Sequence, residues 1–306
     1  MILCFDIGGT AIKVAEAYSA DKVIPKGRVK TPTQSYDDFI AVLRNAIAAA
    51  NVRPRVLAFS LAGVLDPDSG IATVANIPCL SGRKLQSVLE SELQLPVVLA
   101  NDADCFALAE ATVGAGRGHD VVFGLILGTG VGGGVVVRGQ LINGAGGFAG
   151  ELGHGPIAQR MFDDPQITLP AFSCGCGLDG CLDAVCSARG LERLHAHLHG
   201  AALDSPAIVA GWEANEPACA TTISIWLALL SGPLAAMENM LGAGIVAVGG
   251  GMSNSVRLIA ALDLAVREKT LRRFARQLVV PAECPIEPGL VGAAILGLQR
   301  SGTAAA

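Results

Sequence analysis

Aromatic side chains are scarce in this chain: Phe, Tyr and Trp together make up 4% of its 306 residues. So few rings offer little to stack bases on, which argues against single-stranded nucleic acid as a partner. Extended basic runs are missing as well. Nothing longer than a pair such as Arg272 and Arg273 occurs in a chain with a formal net charge of −5 and a pI near 5.5. There is no electrostatic footprint for a nucleic acid or an anionic membrane, so any phosphate chemistry must rest on local geometry. The opening MILCFDIGG lacks a basic segment followed by an apolar stretch and a small-residue cleavage site. No secretory signal is expected, and the expected compartment is the cytoplasm. Mean hydropathy is positive at +0.50, yet stretches such as VVFGLILGTGVGGGVVV are cut by Gly and Thr before the ~20 uninterrupted apolar residues of a membrane span. They read as buried strands.

Apolar residues make up 51% of the chain, enough to fill two cores at the usual ~150 residues per domain. Ile2 to Phe5 reads as a strand that ends at Asp6, turns at Gly8 and Gly9 and resumes near Ile12 to Ala17. Ser35 to Ala50 carries Phe39, Ile40, Leu43 and Ile47 at helical spacing, with Asp37 and Asp38 in its first turn. Strands follow at Arg55 to Leu61 and Val97 to Ala100, and helices at Leu85 to Leu93 and Asp102 to Gly114. From Val121 the plan of apolar strand, Gly/Thr turn and apolar strand recurs, which suggests an internal duplication. Beyond it, helices are predicted at Ala188 to His199, Ala218 to Leu241, Ser255 to Thr270 and Gly289 to Leu298, with a buried strand at Gly244 to Val248. The expected division is an N-terminal α/β lobe over 1–117, joined by the C-terminal helix at about 289–306, and a second α/β lobe over 118–288.

Three glycine-rich turns each follow an apolar strand: DIGGT at Asp6 to Thr10, LGTGVGGG at Leu127 to Gly134 and VGGGMS at Val248 to Ser253. Amides in such turns can converge on one phosphate because no Cβ blocks the approach. One GGG alone would be a plain turn; three in this setting point to phosphate. The glycine spacing in LGTGVGGG resembles a dinucleotide fingerprint, but Gly133 leads into VVV, a strand where that fingerprint requires a helix. Further on, CGCGLDGC places Cys174, Cys176 and Cys181 some twenty residues after His154 of GELGH. Three thiolates and an imidazole match borderline-soft, tetrahedral Zn²⁺, and four protein ligands leave no open position, so the metal expected is structural. Cys4, Cys79, Cys105, Cys186, Cys219 and Cys284 read as small buried hydrophobes. His195, His197 and His199 read as a solvated helix face, since i, i+2 spacing splays the rings apart.

Together, DIGGT, NDAD at Asn101 to Asp104, LILGTGVGGG followed by GELGH, the CGCGLDGC loop and VGGGMS resemble the ROK family of sugar kinases and repressors, from Ile2 to about Leu298. That resemblance implies the actin-like ATPase (ribonuclease H-like) fold, with two duplicated α/β lobes around a central cleft. NIPCLSG at Asn76 to Gly82 and the long gap between His154 and Cys174 are most similar to the family's bacterial N-acetyl-D-glucosamine kinases. By resemblance, Asp6, Gly8, Gly9, Thr10 and Lys13 lie at the ATP phosphates, with Asp6 facing Mg²⁺; Thr129, Gly130, Gly132 and Gly133 form the second phosphate turn, and Gly249, Gly250 and Gly251 lie on the adenosine side. The sugar set is Gly63, Asn76, Asn101, Asp102, Glu151, His154 and Asp183, and the metal set His154, Cys174, Cys176 and Cys181.

Asp102 is the expected catalytic base, because phosphoryl transfer needs a carboxylate near the attacking hydroxyl. A lone Asn-Asp pair would otherwise be a helix cap. Four positions depart from the family: Asp183 stands for a sugar-contacting Glu and reaches one methylene less, Ala62 replaces a Pro beside Gly63, Ala11 replaces a frequent Lys, and Asp104 replaces an Asn. They touch substrate choice and leave the phosphate turns intact. The expectation is ATP-dependent phosphorylation of N-acetyl-D-glucosamine at its 6-hydroxyl, with ATP, Mg²⁺ and structural Zn²⁺. The alternatives are a ROK hexokinase acting on glucose, fructose or N-acetylmannosamine, and a catalytically weak sugar sensor. Family repressors carry a DNA-binding segment before the first glycine turn; with Asp6 so near the start of the sequence, no such segment is expected. The resemblance also implies a homodimer.

Overall fold

The computed structural model describes every residue except 75, 143–146, 157–158, 164–165 and 303–306. The chain forms two compact units: one comprises residues 1–118, 134–149 and 283–306, the other 119–133 and 150–282.

The first unit begins with β1 (Ile2–Ile7), β2 (Ala11–Ser19) and β3 (Lys22–Lys30), followed by α1 (Tyr36–Ala48) and β4 (Val56–Leu61). The short strands β5 (Val64–Leu65) and β6 (Ala72–Thr73) pair antiparallel before α2 (Leu85–Leu93), β7 (Val97–Asn101) and α3 (Asp102–Val113). The sheet runs β3-β2-β1-β4-β7, antiparallel on the hairpin side and parallel from β1 onward. Phe5 of β1 lies in register with Phe59 of β4, and their rings stack at 4.8 Å with planes 10° apart. One residue later, Asp6 lies opposite Lys13 on one side and Ser60 on the other. Ser35 caps α1 by accepting the Asp38 N–H at 3.2 Å, while Phe39, Ile40 and Leu43 are buried. β3 had no periodic signal. It is an edge strand carrying Lys22, Lys26, Arg28 and Lys30, the charge that protects an open sheet edge and erases hydrophobic alternation.

In the second unit, β8 (Val121–Leu127) leads through the Gly128 turn into β9 (Val131–Val137), inside which the chain crosses to the first unit between Gly133 and Gly134. The sheet order is β9, β8, β13 (Ile245–Gly249) and β14 (Val279–Pro281), with β10 (Gln140–Leu141) hairpinned on β9. The short pair β11 (Met161–Asp163) and β12 (Gln166–Thr168) precedes α4 (Asp183–Cys186), α5 (Ala188–His199), α6 (Ser205–Glu213) and α7 (Pro217–Leu241). Then come β13 (Ile245–Gly249), α8 (Val256–Arg267) and β14 (Val279–Pro281), before α9 (Pro288–Arg300) completes the first unit. The two sheets share one plan: three strands joined by turns, then two further strands, with the first strand parallel to the fourth. The duplication suspected from the two turns is therefore present in the topology.

The units differ from the expected division, 1–117 with about 289–306 and 118–288, in that 134–149 falls in the first unit and its C-terminal segment starts at 283, and packing gives the reasons. A Cβ on Gly134 would lie 2.7 Å from the Ala103 carbonyl of α3, so this segment packs in the first unit. The buried Glu110 carboxylate accepts the N–H groups of Glu283 at 3.0 Å and Cys284 at 2.8 Å, which draws the returning chain in before α9 begins. α6, unread in the sequence, starts at Asp204, whose Oδ1 accepts the Ala207 N–H at 2.8 Å. α7 is long and apolar enough to cross a membrane by length and composition alone. Trp226, Ile223, Leu230 and Leu234 on it are buried, and the Trp226 indole N–H donates to Cys186 O at 2.9 Å.

The histidine reading needs correction. His195 is buried, with Nδ1 2.9 Å from Thr222 Oγ1, and His199 Nε2 lies 3.1 Å from the same hydroxyl. The i, i+4 pair faces Thr222 of α7, His195 buried and His199 still exposed, while His197 is exposed and stands edge-on to Phe172. Of the six cysteines read as buried, Cys4, Cys105, Cys186 and Cys219 are, while Cys79 and Cys284 are half-buried.

Within the first unit, α9 crosses α3 at Gly292, where any Cβ would collide with the Cys105 carbonyl. Gly292→Val should therefore cost about 1–3 kcal/mol or more of stability, the usual penalty for overpacking. A thermal melt matching the parent protein would contradict this packing.

Candidate active site

In the first unit, DIGGT closes a turn in which Gly8 N–H donates to Ala11 O at 3.1 Å and Thr31 Oγ1 donates to Gly8 O at 2.6 Å. Ser60 Oγ donates to Asp6 Oδ1 at 2.9 Å, and Lys13 Nζ lies 3.3 Å from Asp6 Oδ2 and 2.7 Å from Glu287 Oε2. Burial pulls the Lys13 ammonium pKa down, but Glu287 and Asp6 outweigh it and raise the net value, so the cation is secure. Asn76 stands over the turn: a Cβ on Gly9 would lie 2.9 Å from its Cβ.

The Asn-Asp pair divides its work. Asn101, at the end of β7, is buried; its Oδ1 accepts the Ala103 N–H at 2.8 Å and its Nδ2 donates to Gly63 O at 3.0 Å. The cap of α3 is thus Asn101. Asp102 also receives the Ala103 N–H, at 2.9 Å on Oδ1, but its side chain is exposed. Asp102, Asp6, Gly8, Gly9, Thr10 and Lys13 line one hollow of about 350 Å³, together with Ala62 and Arg28. Arg28 and Glu287 were not read from the sequence; one belongs to the charged edge strand and the other lies 274 residues from the lysine it meets.

In the second unit, Gly128, Thr129 and Gly251 line a hollow of about 810 Å³ with Ser205, Val209 and Glu213 of α6 and Asn254, Ser255 and Arg257 near the start of α8. Gly249 ends β13, and Gly250, at φ +88°, lies so close to Leu127 O that no Cβ fits; neither lines the hollow. Gly132 and Gly133 lie inside β9. The α6 residues had escaped notice because the helix itself was not read from the sequence.

GELGH forms a tight turn, with His154 N–H donating to Glu151 O at 3.0 Å, so both side chains stand together. His154 Nε2 faces Glu151 Oε2 at 3.7 Å. Its Nδ1 lies 3.7 Å from Cys174 Sγ, and Cys176 Sγ lies 3.6 Å from Cys181 Sγ. All four donor atoms fall within 4.8 Å of one another. A tetrahedron with Zn–S bonds of ~2.3 Å has S···S edges of about 3.8 Å, so this donor set fits a zinc ion. Gly155 N–H donates to Cys181 Sγ at 3.5 Å. The Leu178 N–H draws the Cys176 thiol down to about 7, toward the thiolate form, whereas burial pushes Cys174 up to about 12. Burial also raises the Glu151 carboxyl, with His154 opposing the shift and Asp183 adding to it. Asp183 Oδ1 accepts the Val131 N–H at 2.6 Å.

Comparison with known proteins follows the same outline. The ROK family model matches residues 2–300. Over 295 residues the chain is 34% identical to an N-acetylgalactosamine kinase from Shewanella, covering 95% of each. It is 32% identical to an N-acetyl-D-glucosamine kinase from Pectobacterium atrosepticum, covering 96% of this chain and 98% of that one. Among solved structures, a ROK hexokinase from Thermus thermophilus superimposes with a TM-score of 0.85 at 29% identity, covering 98% of this chain and 99% of the other. A ROK glucokinase from Streptomyces griseus, in complex with glucose and AMPPNP, gives 0.73 at 26% identity, covering 97% and 99%.

Proposed function

This chain belongs to the ROK family, and from that premise we propose that it is an ATP-dependent N-acetyl-D-glucosamine kinase acting on the 6-hydroxyl. The observation that carries the reading is the first unit's hollow, where the exposed Asp102 carboxylate shares one wall with Asp6, the DIGGT turn and Lys13. A phosphate cradle and a base in one small cavity are what phosphoryl transfer requires. Asp102 takes the proton of the 6-hydroxyl as its oxygen attacks the γ-phosphorus, and ADP leaves with the electron pair of the broken P–O bond. Asn101 fixes the start of α3 and so the base. Lys13 and the turn amides hold phosphate oxygens. Asp6 would hold Mg²⁺, which neutralises phosphate charge when bound.

In the second unit, Thr129 and Gly130 serve the phosphates, and the hollow by Gly251 suits the nucleoside. Glu151 is assigned to the sugar, with Gly63, Asn76 and Asn101 assigned to it in the first unit. Zn²⁺ would be held by His154 Nδ1, Cys174, Cys176 and Cys181. With Nδ1 so committed, Nε2 carries the proton and presents it toward Glu151, the way a histidine ligand commonly orients a carboxylate. Reduced zinc thiolates and ATP suit the cytoplasm, and the family resemblance points to a homodimer.

Purified protein should contain about one zinc per chain, as a four-ligand structural site holds its metal through purification. Cys176→Ser should lower metal content, melting temperature and sugar affinity together; a fully active protein with well under one equivalent of zinc would remove the metal from the account. Asp102→Asn should leave sugar binding largely intact and lower kcat by on the order of 10²–10⁴, the usual worth of a general base. Near-normal turnover would make Asp102 part of the helix start only. A pocket built for the acetamido group leaves its polar partners unsatisfied with glucose, so kcat/KM for N-acetyl-D-glucosamine should exceed that for glucose roughly tenfold or more.

A second reading, phosphorylation of N-acetylgalactosamine, rests on the 34% identity to the Shewanella kinase. A coupled ATP-consumption assay across acetylated and plain hexoses separates the readings. Equal efficiency with glucose or fructose favours the hexokinase alternative, and turnover of none favours a sensor.

A further inference from the structure

Asp183 stands where the resemblance expects a sugar-binding glutamate, yet its contacts lead elsewhere. It is the first residue of α4, two positions after Cys181 of the metal loop. Its backbone N–H donates to Gly153 O at 2.8 Å, inside GELGH. Its Oδ1 accepts the N–H of Val131 at 2.6 Å, the residue that follows the Gly128–Thr129–Gly130 turn, and a Cβ built on Gly130 would lie 3.0 Å from the same oxygen. The other oxygen lies 3.8 Å from Cys174 Sγ. Gly153, in turn, packs so closely on Val131 O that it has no room for a side chain.

The opposite end of the turn is tied to the same short segment. Gly128 O accepts the Ala188 N–H at 2.8 Å, and Ser187 Oγ donates to Asp183 O at 2.7 Å, which closes α4 onto the start of α5. Residues 183–188 therefore hold the turn at both ends, by a carboxylate after it and an amide before it. The bond to Val131 requires the short side chain. A glutamate, one methylene longer, would drive its carboxylate into Gly130 or swing it away from the turn.

We propose that Asp183 is a positioning residue for the nucleotide-phosphate turn and not a sugar ligand, and that through it the cysteine loop sets nucleotide affinity as well. This rests on the kinase reading, which assigns the Gly128 turn to the phosphates. The aspartate is then no weakened copy of a sugar ligand but a residue with a different task.

The test measures two affinities by calorimetry, for a non-hydrolysable ATP analogue with Mg²⁺ and for N-acetyl-D-glucosamine, in the parent protein and in Asp183→Ala, Asp183→Glu and Asp183→Asn. Loss of the bond should weaken the analogue roughly tenfold in the Ala and Glu variants, in keeping with one hydrogen bond to a charged group, and leave the sugar within about twofold. Asp183→Asn keeps an acceptor at Oδ1 and should restore nucleotide affinity to within about threefold of the parent. Hydrogen exchange at the Val131 amide should quicken in the Ala variant and stay slow in the Asn variant. If Ala and Glu do not fold, the Asn variant still decides, since a sugar affinity that falls while the nucleotide holds overturns the proposal. Unchanged values for both ligands in the Ala and Glu variants, or equal losses of both in any variant, overturn it as well. A parent protein that binds neither ligand would instead sink the kinase reading and carry this proposal down with it.

Discussion

The chemistry of the first unit depends on the register of β1 between β2 and β4. Phe5 and Phe59 stack across the parallel pair and hold it in place, and the next rung brings Asp6 level with Lys13 and Ser60. Because side chains alternate between faces, a slip of one residue would carry Asp6 into the apolar place of Phe5 and Ile7 into the place of Asp6 in the polar hollow. Desolvating an unpaired carboxylate costs far more than a strand pairing returns, so the apolar core and the polar site enforce the same register. The phosphate turn starts at Gly8, two residues after Asp6, and inherits its position.

A chain with net negative charge must still accommodate a polyanion if it is to use ATP. The means available are local: amides of glycine-rich turns, and a lysine that two carboxylates keep protonated. Lys13 is held by Asp6 and Glu287, which limits its motion while sparing the protein a general positive field. In the second unit the corresponding turn, Gly128 to Gly130, contains no cation of its own, and among the described residues Arg257 only lines the hollow beside it. There the bonds from 183–188 to Gly128 and Val131 supply rigidity, and the cysteine loop supplies the anchor for that segment.

Much of this could be read before any coordinates. Strands ending in glycine turns mark themselves by an abrupt change from apolar to small residues, and the topology bears out the suspected repeat of that plan. The four metal-type donors announced themselves by residue type and spacing, and their atoms converge. What escaped had no local signal. β3 is a strand because β2 lends it a partner, not because its charged sequence alternates. His195 lies inward because α7, more than twenty residues further along the chain, covers it with Thr222. Glu110 anchors amides at 283 and 284, a distance over which no periodicity operates.

The sequence by itself determined the places where backbone must come close to something: the glycines after each strand, the thiols and imidazole, and the Asn-Asp pair at a helix start. These follow from residue type, since only glycine admits certain approaches and only certain side chains ligate or take protons. Which partner each group meets was decided by tertiary structure alone. Asn101 rather than Asp102 became the cap because its neighbour Gly63 offered a second bond, and that left the Asp102 side chain exposed to the hollow. Asp183 turned to Val131 because a chain segment fifty-two residues earlier put an amide within reach of so short a carboxylate. Hydrogen bonds act over about 3 Å, and only the folded chain determines which groups come that near.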